Sequence, residues 1–221
     1  MANDFLIANI NDSLERGSKG EDDLRELFAG FTCPTNPDVE RFFLHQAIDF
    51  TKRSQSVSYL LFANIDEKLL AYFTLTIKPI SVNAANFSNS MRRKIERVSE
   101  VNEQTGEYIL AAYLIAQLGK NFTGGANERM TGAQLLELAL DKVHALQYMA
   151  GGTVVFLEAD NMDKLIAFYE RNASLCILHF SAIYINSVSC AIAQRRFKQF
   201  AVRKSRSTQQ QHKLVQLLKV M

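Results

Sequence analysis

The pattern of apolar and polar positions alternates between two periods along this chain. Asp4 to Ile10 reads as a short strand. Glu21 to Ala29 carries Leu24, Leu27 and Phe28 at helical spacing, and Gly30 ends it. Asp38 to Thr51 reads as one amphipathic helix with the stripe Val39, Phe42, Phe43, Ala47, Ile48 and Phe50. Asn36 stands as its cap and Pro37 in its first turn. Val57–Ala63 and Leu69–Ile77 are strand-like and flank the polar run Asn64–Lys68, which predicts an antiparallel hairpin. Asn83 to Gly106 is polar and reads as a helix or excursion. Tyr108–Leu118 is a strand, and Asn121–Asn127 a glycine-bearing loop. Thr131–Tyr148 is the clearest helix, with Leu135, Leu136, Ala139, Leu140, Val143 and Leu146 on one face. Gly151-Gly152 breaks it, Thr153–Ala159 reads as a buried strand, and Met162–Arg171 as a helix.

Composition narrows the class. With 221 residues, 48% of them hydrophobic and three prolines, the chain is long enough for one sizeable core and is neither disordered nor of low complexity. Cys33, Cys176 and Cys190 are odd in number and far apart, so they form no disulfide framework and no metal motif; a reducing, cytoplasmic setting is expected. The first residues lack the pattern of a signal peptide.

Charge adds an asymmetry. Before Arg171 there are 16 basic and 23 acidic residues; from Arg171 onward there are nine basic residues and no acid. Such a block suits phosphates or an anionic surface, and equally a solvated face that balances an acidic body.

The segment with chemical content is Tyr113 to Tyr148. Thr131-Gly132-Ala133-Gln134 has the spacing of a capping box, in which the Thr131 hydroxyl and the Gln134 side chain satisfy early amides. The other early amides and the helix dipole face a loop of small residues, an arrangement that accepts an anion such as a pyrophosphate. Gly132 allows close approach to the backbone. An ordinary capped helix accounts for the same residues. Cys33 lacks a histidine partner in sequence and reads as a small buried apolar group; His45 and His144 read as helix-surface or core-edge residues, and no metal constellation is present.

Several stretches resemble the GNAT superfamily of acyl-CoA N-acyltransferases, within it a bacterial, toxin-like subgroup. They are Phe31-Thr32-Cys33 with Val39-Glu40-Arg41-Phe42-Phe43, Leu70-Ala71-Tyr72-Phe73-Thr74-Leu75, Tyr113 through Asn121, and Gly132-Ala133-Gln134-Leu135-Leu136. Glu158-Ala159-Asp160-Asn161 with Leu165 to Asn172 completes the set, which covers about residues 24 to 172. The loop Asn127-Glu128-Arg129-Met130-Thr131-Gly132 keeps only the last glycine of the family's phosphate-binding pattern. The resemblance implies a single α/β domain over 1–221, with a mixed, mostly antiparallel twisted sheet flanked by helices and central strands splayed at the CoA site.

It also implies an N-acetyltransferase that moves the acetyl group of acetyl-CoA to a primary amine by direct attack. The cofactor residues it implies are Leu118, Gly119, Lys120, Asn127, Arg129, Met130, Thr131, Gly132, Ala133 and Asn161, with Tyr169 as the acid for the leaving thiolate and no metal. Glu158 is a candidate base, though a structural ion pair fits it as well. The acceptor is an amine-bearing small molecule, a protein or an aminoacyl-tRNA, and an antitoxin or a second copy is the expected partner. A non-catalytic nucleic-acid-binding protein is the contrasting reading. After Asn172 the family pattern is interrupted. Ala173 to Ala193 has no Asp, Glu, Lys or Arg, and Phe197-Lys198-Gln199-Phe200 resumes it, so 173–195 reads as an insertion ahead of a basic C-terminal segment. Its Ile177, Ile183, Tyr184, Ile185 and Val188 suit a buried hairpin better than a membrane span.

Overall fold

The computed structural model describes residues 5–87, 89–152, 154–158, 167–169, 171–172, 181–186 and 189–192. They fall into two units, whose described parts are 5–75 with 117–138, and 76–116 with 139–192.

In the first unit, β1 (Phe5–Asn9) pairs antiparallel with β2 (Val57–Ala63), from Phe5 opposite Ala63 to Asn9 opposite Tyr59. β3 (Leu69–Asn83) lies antiparallel on β2, with Val57 opposite Leu75. Helices α1 (Ile10–Leu14), α2 (Ser18–Ala29), α3 (Pro37–His45) and α4 (Ala47–Lys52) come between β1 and β2 in the chain. Their core is aromatic. Phe43 stacks on Phe28 at 3.9 Å and on Tyr72 at 4.2 Å, and Phe31 meets the Tyr72 ring edge-on at 5.4 Å. Offset and edge-on geometries of this kind add to what burial alone supplies.

The helix expected over Asp38–Thr51 divides at Gln46, whose φ of −124° leaves the helical region. Asn36 caps α3 as its position suggested, its side chain accepting from the Val39 amide at 3.2 Å. The division has a geometric reason. At 3.6 residues per turn, the buried set Val39, Phe42 and Phe43 and the buried set Ala47, Ile48 and Thr51 would point to different sides of one straight helix. Breaking at Gln46 lets both be buried.

The second unit holds the far half of β3, a tight helical turn at Ala84–Asn86, α5 (Asn89–Ile95) and β4 (Val101–Asn102). It also holds most of β5 (Glu107–Lys120), the latter part of α6 (Gly132–Ala150) and β6 (Val154–Glu158). β3 runs past Ile77, the end expected from the sequence, because Ile80 and Val82 still alternate inward. Together with Phe87, Tyr108, Leu110 and Phe156 they form a separate core. β6 pairs parallel with β5 from Ala112 opposite Val154 to Ile115 opposite Leu157.

The uncharged stretch contributes β7 (Ser181–Asn186), parallel to β6, and β8 (Ser189–Ile192), antiparallel to β7. A hairpin is therefore present where the alternation suggested one. Ile177, Val188 and the resumption at Phe197 lie outside the described residues. Within the first unit β2 lies between β1 and β3; within the second, β4 and β6 both pair with β5, and β7 lies between β6 and β8.

Ser58 and Thr74 face each other across β2 and β3, fully buried, with hydroxyls 2.7 Å apart. Ser58→Ala should leave the Thr74 hydroxyl buried and unpaired, lowering stability by about 1–3 kcal/mol, whereas Ser58→Ala with Thr74→Val should recover most of the loss. Urea unfolding of the two variants checks this, and the account fails if the double variant is the weaker.

Candidate phosphate-binding loop

The first unit carries the loop that the sequence singled out. Asn121, 4% exposed, ends β5 and ties three segments together. Its Oδ1 accepts from the amides of Thr32 at 3.2 Å and Thr123 at 3.0 Å, and its Nδ2 donates to the Leu69 carbonyl at 3.0 Å. Its own amide donates to Leu70 O at 2.8 Å, and the Phe122 amide to Thr32 O at 2.8 Å. All the side chain's strong polar atoms are thus engaged in a place where an unpaired one would be costly.

The chain next turns tightly over Thr123–Arg129. Gly124 and Gly125 sit at φ 56° and 72°, a left-handed geometry that favours glycine. Four side chains then hold the loop. The Lys68 ammonium donates to Gly124 O at 2.7 Å. Lys120 donates to the carbonyls of Asn127 at 2.7 Å and Met130 at 2.8 Å. Arg129 forks onto Asp66, at 2.7 and 2.9 Å. Those hydrogen bonds, with the guanidinium charge, hold the Asp66 carboxyl below its ordinary pKa.

α6 begins with the capping box that the spacing predicted. The Thr131 amide and hydroxyl both donate to Gln134 Oε1 at 2.9 Å, and the Gln134 amide donates to Thr131 Oγ1 at 3.2 Å. The amides of Gly132 and Ala133 precede the reach of the intrahelical ladder. Met130 is buried and anchors the end of the loop.

β5 leads into this loop through partly buried Leu118 and buried Gly119. A Cβ on Gly119 would lie 2.5 Å from the Tyr72 ring and 2.6 Å from Val39 Cγ1, so the strand passes directly against both. Tyr72 donates to Val39 O at 2.6 Å, and burial pushes its phenol pKa up. Among the described residues β6 pairs with β5 no further than Ile115, while β5 continues to Lys120.

Of the residues expected to serve a cofactor, Leu118, Gly119, Lys120, Asn127, Arg129, Met130, Thr131, Gly132 and Ala133 form one continuous strand, loop and helix start. Arg129, expected among the cofactor residues, is engaged by Asp66. Lys120, expected among the cofactor residues, acts on the loop through its ammonium. Tyr169 lies half-buried on a helical stretch, its ring 5.1 Å from that of Phe168. Asn161 is outside the described residues, as is the Glu158 side chain. Cys33 is a buried thiol 3.7 Å from the Thr35 hydroxyl. The sequence reading missed Asp66, Lys68, Thr32 and Asn121. The first two act across 63 and 56 residues, a separation that local spacing does not register.

No protein-family model and no curated protein matches this sequence. Solved structures do match. The toxin AtaT complexed with acetyl-methionyl-tRNAfMet aligns at TM-score 0.53 and 18% identity, over 76% of this chain and 85% of AtaT. A tyrosine-to-phenylalanine mutant of KacT aligns at TM-score 0.53 and 17% identity, over 76% of this chain and 85% of that one. This chain has the GNAT fold. The GNAT arrangement accounts for the mixed sheet and for the helix that follows the β5 loop. No helix among the described residues is long and apolar enough to cross a membrane.

Two outcomes follow from this geometry. Gly119→Ala should lower stability by about 1–3 kcal/mol, because a backbone-fixed Cβ is driven into a packed ring; an unchanged urea midpoint would refute the contact. The Asp66 carboxyl should titrate below the ordinary value of 3.8 and move up toward it in Arg129→Gln. The pair's contribution is therefore present above that value and lost as pH falls through the lowered one. Carboxyl NMR titration of both proteins reads the shift directly.

Proposed function

We propose that this chain is an acetyl-CoA-dependent N-acetyltransferase acting on a primary amine. The observation that carries the reading is the Thr123–Ala133 segment. The first-turn amides of a 19-residue helix, behind a glycine turn whose carbonyls are held by lysines, make a backbone donor set suited to a diphosphate. Likeness in fold to AtaT, a protein captured with an acetylated methionyl-tRNA, supports the same class.

In this reading the β5 end at Leu118, Gly119 and Lys120 offers its backbone to the pantetheine arm, and Asn127, Met130, Thr131, Gly132 and Ala133 line the pyrophosphate. Arg129 and Asn161 complete the cofactor residues by resemblance. The acceptor nitrogen, already deprotonated, bonds to the thioester carbonyl carbon and the carbon–sulfur bond breaks. Tyr169 gives its hydroxyl proton to the departing thiolate, and the proton shed by the acylated nitrogen passes through solvent to restore the Tyr169 hydroxyl.

An aminoacyl-tRNA is the acceptor favoured by a second observation, the nine basic and no acidic residues from Arg171 onward, which suit a phosphate backbone. The AtaT complex supports that choice, and an antitoxin is then the expected regulatory partner. A reducing cytoplasm suits the chain's scattered cysteines.

Acetyl-CoA should raise the melting temperature where ATP and NAD do not, and Gly132→Val should weaken that binding in calorimetry. Equal affinity in the variant would remove the loop assignment. Tyr169→Phe should lower turnover on an aminoacyl-tRNA by ~10²-fold while leaving acetyl-CoA affinity unchanged. Unchanged turnover would exclude Tyr169 as the acid.

A further inference from the structure

We propose that the Lys120 side chain positions the anion-binding loop, its ammonium acting through two carbonyl oxygens and not by contact with the phosphates. The inference rests on the acetyl-CoA reading for its ligand, and on the geometry of the loop for its mechanism.

A trans peptide is planar, with its C=O and N–H on opposite edges, so fixing one edge aims the other. Lys120 Nζ holds the Asn127 carbonyl, which sends the Glu128 N–H the opposite way. The same ammonium holds the Met130 carbonyl, while the Thr131 N–H across that peptide is taken by Gln134 Oε1. That peptide plane is therefore pinned at both edges, and it is the plane that sets where α6 begins. Lys68 does the same from the β2–β3 turn, holding the Gly124 carbonyl and aiming the Gly125 N–H away.

The electrostatics agree with the geometry. Carbonyl oxygens turned toward an anion would repel it, whereas here three of them are turned onto ammonium groups. The amides of Gly132 and Ala133 and the positive end of the α6 dipole are what the segment then offers an anion. A lysine suits this task because its three donors diverge from one atom and can serve two carbonyls at once.

Lys120→Met and Lys120→Arg test the proposal by amide exchange in the free protein and by acetyl-CoA calorimetry at several salt concentrations. Hydrogen bonds to a charged group are strong enough that Lys120→Met should speed exchange of the Thr131 and Gln134 amides by about tenfold or more. The Asn121 amide, bonded to Leu70 O, should keep its protection. Acetyl-CoA affinity should fall by about tenfold with an unchanged salt slope, because no phosphate contact is lost. Lys120→Arg, which keeps a donor, should lie between the two. Unchanged Thr131 exchange, or equal losses in both variants, overturns the proposal. A flattened salt slope also overturns it, since that marks direct contact with phosphate. A wild-type protein that binds no acetyl-CoA defeats the acetyltransferase reading alone, and the exchange rates still decide the role of Lys120.

Discussion

The buried carboxamide of Asn121 is the constraint on which the first unit's functional end depends. One side chain satisfies the start of β3, the segment after α2 and the first amide of the glycine turn. Few side chains offer both donors and an acceptor within so small a volume. An aspartate would lack the donor for Leu69 O, and a leucine would leave several backbone groups unpaired. With the strand end fixed, the glycine turn begins at a defined place, and Lys68, Lys120 and Asp66 all reach it.

Much of the fold was legible in the sequence because its signals are local. The stripe of α6, the Asn36 cap with Pro37 behind it, and the Thr131–Gln134 box each need only a few neighbouring residues. What was not legible depends on direction or distance. The break at Gln46 follows from where two apolar sets must point. The length of β3 was hidden by Lys78 and Pro79, although Ile80 and Val82 keep its alternation.

The candidate site divides in the same way. The loop and the helix start were visible as small residues followed by a capping pattern. The partners that shape them were not, because Asp66 and Lys68 belong to a hairpin turn that reads only as a polar connection between strands. Arg129 illustrates the difference between charge and availability: the sequence shows a cation beside an anion loop, while the fold engages it with a carboxylate.

Gly119 and Tyr72 share one space. The ring occupies the volume a side chain at 119 would need, and the phenol fastens that ring to the Val39 carbonyl. The two positions are therefore not free to vary independently. A smaller residue at 72 would open room at 119 but would also release α3 from the sheet, so a chain that drifts at either position must pass through a less stable intermediate. The strand that opens onto the loop is, in that sense, under the jurisdiction of a residue that touches no part of the loop.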